Sequence, residues 1–264
     1  VTEGARESLE QLITAWRSIA LDREPGADVR NLPGIALHWA DCRALFWNGL
    51  ALTENGLDAE LLGRRLHEAA RIMRGKRNPG FLWLFEDFLT EGARAALGTV
   101  AARAGLEHEE SGSGMAGVVL PMPEPRHPEL TFVRVRTADQ VRAYADLNSR
   151  AYGFPVEHYR DGLTASALWT GRAHAYLGVR EGVPVSCAAA IPTAGRLFVN
   201  LVATDPRWQR RGYGEAVTRK ALHAGHRESG LTRATLHATL AGQTVYERIG
   251  LAPNSPIHLY ILAN

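Results

Sequence analysis

The chain has 264 residues, is 45% hydrophobic and 22% charged, and sets 30 basic against 28 acidic side chains for a formal charge of +2. That composition excludes a disordered tail, and the near balance of charge argues against a partner held by bulk electrostatics, whether nucleic acid or an anionic membrane surface. Two cysteines, Cys42 and Cys187, are too few and too far apart for a disulfide framework or a thiolate metal cluster, and they fit a reducing compartment.

At the amino terminus, Leu9, Leu12, Ile13, Trp16 and Ile19 recur at helical spacing among charged residues. This predicts an amphipathic helix over 5–20 rather than a signal peptide. No run approaches the roughly 18 apolar residues of a membrane span, so a cytoplasmic protein with no membrane partner is expected. The chain begins at Val1, which leaves a trimmed segment open. Strands are predicted near 35–40 and 44–51, a helix over 58–74, a strand over 81–86, a helix over 91–104 and strands near 106–110 and 116–120. "PMPEPRHPEL", residues 121–130, places four prolines where neither helix nor ladder can continue. It is read as a linker between a domain of residues 1–120 and one of residues 131–264. The second half predicts strand 131–136, helices 138–150 and 156–168, strands 174–180, 184–191 and 196–204, helix 212–228, strand 232–239, helix 242–249 and strand 256–262. Both halves are therefore expected to be α/β (α+β) with mixed sheets.

The stretch "DPRWQRRGYGEAV", Asp205 to Val217, leaves a strand and enters a helix through Gly212 and Gly214. A helix start after such a turn aims unpaired N–H groups and the positive end of the helix dipole at one point, and glycine lets a phosphate approach the backbone. Arg207, Arg210 and Arg211 add charge around it. Taken alone, a short glycine motif also fits an exposed basic turn. A dinucleotide fingerprint is a poor match because Val217 stands where its third glycine belongs, and no GxxxxGK[ST] run occurs in the chain.

The stretch fills the pattern Q/R-x-x-G-x-G/A with Gln209, Gly212 and Gly214, and so resembles the acyl-CoA pyrophosphate loop of the GCN5-related N-acetyltransferase (GNAT) superfamily. "ATLHATLAGQTVYERIGL", Ala234 to Leu251, is similar to that family's later strand and helix. "GVPVSCAAAI", "FVNLVATDP" and "FVRVRTADQVRAYADLNSRAYG" are similar to its third strand, its fourth strand and its first strand and helix. The resemblance covers residues 131–264. It implies a complete acyl-CoA N-acyltransferase fold with acetyl-CoA as co-substrate, held by Gln209, Arg210, Arg211, Gly212, Tyr213, Gly214 and Glu215 at the phosphates. Val202 and Thr204 would pair with the pantetheine arm. A backbone N–H near Leu201 or Val202 would serve the oxyanion, and Tyr246 would be the acid for the departing thiolate.

The same resemblance implies a small-molecule or peptide amine as acceptor and leaves a homodimer open. Where many members carry a carboxylate on the fourth strand, this chain has Asn200; His174 and His237 could act as a base through water, although each reads more readily as a surface or hydrogen-bonded structural histidine. Asp205 is expected to fix the turn. The connection Leu147 to Asp161 would contact the acceptor, with Tyr152 and Phe154 as an apolar wall and Glu157 available to a cation. His223 and His226, alone on a helix, do not make a metal site.

The first half reads as a shortened, degenerate copy. Its "LTENGLDAELLGRRL" offers only Gly56 before the helix and cannot build the same cradle, so no CoA is expected there. Its aromatics Trp39, Phe46, Trp47, Phe81, Trp83, Phe85 and Phe88 read as core. The leading function is N-acetyl transfer from acetyl-CoA to a primary amine in a ternary complex. The alternative is a non-catalytic acyl-CoA-binding or regulatory module.

Overall fold

The computed structural model describes residues 1–263 and divides them into two compact units. One comprises residues 1–115, 237–241 and the chain from Pro253 onward; the other comprises 116–236 and 242–252.

In the first unit, α1 (Glu3–Arg23) begins where the Thr2 hydroxyl accepts from the Ala5 N–H, and it buries Leu9, Leu12, Trp16 and Ile19. β1 (Asp28–Leu32), β2 (Ile35–Trp39) and β3 (Asn48–Leu52) run antiparallel in sequence order. α2 (Ala59–Arg74) then carries the chain to β4 (Phe81–Phe85), which lies parallel to β3. α3 (Glu91–Ala104) ends at Gly105 in the left-handed region and leads into β5 (Leu106–Val118). Leu37, Leu50, Leu62, Leu66, Leu82 and Leu97 meet in the core between the strands and α2 and α3. Each such leucine contributes about 1.5–3 kcal/mol on burial.

Three expectations for this half are corrected. β1 is an edge strand missed in the sequence because three of its five residues are polar or charged and none is buried; it is set by the two-residue turn Pro33–Gly34, with Gly34 at φ 73°. The segment 45–47 is a 3-10 turn rather than the start of a strand. The separate strands expected near 106–110 and 116–120 are one continuous β5 through "SGSG". Its glycines serve close approach rather than a turn, since a Cβ would fall 2.2 Å from the Ala238 carbonyl oxygen at Gly112 and 2.1 Å from Ser8 Oγ at Gly114.

The second unit begins with the proline-rich segment, which is laid along the domain. Glu124 pairs with Lys220 at 2.7 Å, His223 Nδ1 lies 3.2 Å from the Met122 carbonyl, and Tyr213 donates to Glu129 at 2.8 Å. β6 (Thr131–Arg134), β7 (His174–Arg180), β8 (Val183–Thr193) and β9 (Arg196–Thr204) form an antiparallel series. α6 (Tyr213–Ser229) crosses to β10 (Arg233–Thr239), which is parallel to β9. α4 (Ala138–Tyr152) starts in a capping box between Thr137 and Gln140 and stops at Gly153, φ 72°. α5 (Val156–Thr164) follows Pro155. It is shorter than the expected 156–168 because Ser166 is extended and the remainder forms a 3-10 turn, Ala167–Trp169. α7 (Gln243–Ile249) and β11 (Ala252–Leu262) close the chain; within the first unit β11 pairs antiparallel with β4 through Ile257 and Phe85.

Candidate active site

The site of the second unit starts from a break in β9. This strand pairs with β10 only at Leu197 and Phe198, so its later half has no ladder partner on that side. Its register with β8 also shifts between Cys187 and Ala189, which leaves Leu201 and Val202 without a partner there. Leu201 takes φ 48°, a left-handed conformation that a leucine adopts only under constraint. Two phenols supply the constraint. Tyr144 donates to the Leu201 carbonyl at 2.8 Å and Tyr152 to the Val202 carbonyl at 2.9 Å.

Tyr144, Asn148 and Tyr152 repeat every four residues along one face of α4. Asn148 Nδ2 lies 3.3 Å from Cys187 Sγ, so this face spans the bulge. Burial pushes the Tyr144 hydroxyl up, and Cys187, Tyr152 and Tyr246 add to the effect, which puts the phenol of α7 in the same cluster. Burial likewise pushes the Tyr246 hydroxyl well up, and among the described residues that hydroxyl has no hydrogen-bond partner. It stays protonated through the neutral range and is free to donate. Asn200, whose carbonyl lies 3.4 Å from the Tyr144 hydroxyl, is buried with its Nδ2 unpartnered.

Beyond β9, Asp205 is 1% exposed and accepts from the Arg207 N–H and guanidinium and from Arg150. The hydrogen bond from Arg207 leads the interactions that hold its carboxyl down at about 2. This is the turn-fixing role expected of it. The chain then passes Arg210 at φ 63° and Gly212 at φ 80°, and α6 begins with no side-chain cap. The first intrahelical bond into the Gly212 carbonyl comes from Ala216, so the N–H groups of Tyr213, Gly214 and Glu215 have no intrahelical acceptor. Gly212 and Gly214 leave the approach open: a Cβ at Gly212 would find only His127 Nε2 at 3.9 Å, and one at Gly214 would meet Thr204 Oγ1 at 3.1 Å. Arg210 and Arg211 are exposed, and Arg211 lies over the Trp208 ring at 5.1 Å.

The remaining expected residues have these positions. Gln209 reaches the Thr204 carbonyl at 3.5 Å. Tyr213 points into the core, so its backbone and not its ring faces the turn. The Glu215 carboxylate is held by Arg248 at 2.8 Å and Arg219 at 2.9 Å. Tyr152 stacks on Tyr159 with centroids 6.2 Å apart, and Phe154 packs on the same ring at 6.0 Å, forming an aromatic wall beside the bulge. Glu157 is exposed.

The two histidines considered as a base have other partners. His174 lies against Gly225 of α6 and accepts from Arg134 at 2.8 Å, while His237 belongs to the first unit, edge-on to Trp83 and Phe85. Among the described residues no group of three or more His, Cys, Asp or Glu could hold a metal ion, and no helix is long and apolar enough to cross a membrane. Sequence reasoning missed Tyr144 and Tyr159. The four-residue repeat Tyr144, Asn148, Tyr152 was the available signal for the first.

Residues 141–251 match the Acetyltransferase (GNAT) family model. Solved structures resemble the whole chain. A GCN5-related N-acetyltransferase from Kribbella flavida has 18% identity and a TM-score of 0.70, over 100% of this chain and 97% of that one. Another from Sphaerobacter thermophilus has 16% identity and a TM-score of 0.58, over 96% and 91%. A functionally unknown conserved protein from Staphylococcus epidermidis has 10% identity and a TM-score of 0.61, over 90% and 95%. At these identities the likeness is one of fold. No curated protein matches the sequence. With the peeled strand, the open helix start and the family match all falling within one stretch, residues 141–251 are a domain of the GNAT acetyltransferase family.

Proposed function

We propose that the second unit is an N-acetyltransferase that moves an acetyl group from acetyl-CoA to a primary amine by direct attack. The observation that carries this reading is the pairing of the uncapped α6 start with the unpaired backbone of β9 at Leu201 and Val202. The N–H groups of Tyr213, Gly214 and Glu215, with Arg210 and Arg211, suit a pyrophosphate. Val202 and Thr204 offer main-chain partners to an extended pantetheine arm, and an N–H at the bulge suits the oxyanion of the attacked thioester. As the C–S bond breaks, Tyr246 is the group available to protonate the sulfur. Tyr152, Phe154 and Tyr159 would wall the amine.

We also read the first unit as a degenerate second copy of the same pattern. Its β1, β2 and β3 are antiparallel, and α2 crosses to a parallel β4, as α6 crosses from β9 to β10.

Calorimetric titration with acetyl-CoA, followed by an amine panel, tests the proposal. One site per chain and turnover with an amine are expected, and Gly212→Asp with Gly214→Asp should abolish binding in a folded protein. Binding without turnover would favour the non-catalytic module. Wild-type affinity in the double variant would refute the placement of the phosphates.

A further inference from the structure

The first unit contains a chain of hydrogen bonds that acyl transfer in the second unit does not use. Glu86 lies in a 3-10 turn after β4, Ser111 in β5 and His258 in β11, so three distant stretches of sequence converge. His258 Nε2 is 3.1 Å from Glu86 Oε2, and its Nδ1 is 3.0 Å from Ser111 Oγ. His108 Nε2 approaches the same oxygen at 2.8 Å.

The available donors fix the direction of this chain. A carboxylate only accepts, so the proton of a neutral His258 resides on Nε2 and its Nδ1 is left as an acceptor. Ser111 must then donate its hydroxyl hydrogen to Nδ1, and its oxygen can accept from His108 Nε2–H. This is the order nucleophile, base and orienting carboxylate. The arrangement is open to solvent: the His258 side chain is 20% exposed and that of Glu86 33%. His108 is exposed and is braced edge-on by Tyr260 at 5.5 Å.

We propose that Ser111 is a nucleophile, activated by His258 with Glu86 as its positioning residue, that takes an acyl group from small activated carboxylic esters. Ser111 Oγ attacks the ester carbonyl as its proton passes to His258 Nδ1. The new Oγ–C bond forms, the ester C–O bond breaks, and the departing alkoxide takes that proton. Water then attacks the acyl-serine, its proton passing through the same nitrogen to Ser111 Oγ, which releases the carboxylic acid.

The test is covalent labelling of the full chain with 4-nitrophenyl acetate and with an alkyl fluorophosphonate, read by intact mass and peptide mapping. Background acylation is limited, because the chain has only two lysines, Lys76 and Lys220, and both are ion-paired. A single adduct on Ser111 is expected. Its rate should fall by at least about 100-fold in His258→Asn and be lost in Ser111→Ala. Glu86→Gln should slow labelling without changing the reagent concentration at half-saturation, and Glu86→Asp should recover part of the rate. Ser111→Ala should keep its fold by circular dichroism and bind acetyl-CoA as the wild type does. No adduct on Ser111 of the folded wild type would overturn the proposal even if the histidine variant failed to fold. An adduct formed equally fast without His258 would also overturn it.

Discussion

Replacing Tyr246 with phenylalanine removes one oxygen and should separate chemistry from folding. The hydroxyl has no hydrogen-bond partner among the described residues and is desolvated, so its loss breaks nothing. Stability should stay within about 0.5 kcal/mol of wild type. Catalysis should suffer, because a free thiolate with a pKa of about 8.5 then leaves without a proton donor. Acid catalysis by a positioned side chain is worth about 10²–10⁴ in rate. The lower end applies here: burial raises the Tyr246 hydroxyl above an ordinary phenol, so proton transfer to the sulfur runs uphill. A fall in kcat of about 100-fold corresponds to about 2.7 kcal/mol of lost transition-state stabilisation. The assay is release of free thiol with saturating amine while acetyl-CoA is varied, alongside the melting temperature. KM for acetyl-CoA and Tm should hold while kcat falls. An unchanged kcat in a folded variant would refute Tyr246 as the acid.

Tyr144→Phe should give the opposite pattern. It leaves the buried Leu201 carbonyl, which its hydroxyl holds at 2.8 Å, with only the weak thiol donor of Cys187 at 3.8 Å, so a loss of about 1–3 kcal/mol in urea unfolding should accompany any loss of rate; unchanged stability would mean that the bulge holds itself. Acid should destabilise the protein through three buried histidines. Burial holds His38 down to about 3 and His174 and His237 to about 4, against 6.5 when unfolded. The unfolded chain therefore binds more protons below pH 6.5, and the stability held by the neutral rings is lost as pH falls from there towards 4 and then 3. Each ring costs up to about 1.4 kcal/mol per pH unit in that window. A urea midpoint unchanged between pH 7 and pH 5 would show that these rings are not kept neutral by the fold.

Local patterns made the helices legible. Helices were expected over 58–74 and 91–104, and α2 and α3 lie there, with the Asp58 and Thr90 side chains capping their first turns. Glycine misled where it served packing across strands. "SGSG" has turn composition, yet at Gly112 and Gly114 a side chain would collide with Ala238 or Ser8, neither of them near in sequence. Gly212 was legible as a turn glycine because it acts locally, at φ 80° on a helix start. The bulge was not. Leucine at φ 48° has no sequence signature, and Leu201 adopts it through contacts with Tyr144, 57 residues away in the chain. The approach of Ser111 to His258 is longer in range still, at a separation of 147 positions in the chain.

Two parallel crossovers of this chain use the same helix-start donors differently. α2 and α6 each leave a strand and return to a parallel neighbour, so each directs unpaired N–H groups and a positive dipole end towards the end of its strand. At α2 the position is taken. Asp58 accepts from the Leu61 N–H at 2.8 Å, and Glu60 adds a second carboxylate to the first turn. A phosphate arriving there would lose that donor and face a like charge, at a cost of about 1 kcal/mol for solvated unit charges 4 Å apart. At α6 the cap is Gly212, which has no side chain to compete for the N–H groups, and Arg210 and Arg211 precede it. A carboxylate cap and anion binding are alternative uses of the same unsatisfied donors. The aspartate that caps α2 therefore competes with any anion for the first unit's helix-start donors. The glycine at α6 gives up that capping energy and leaves the donors available to a ligand.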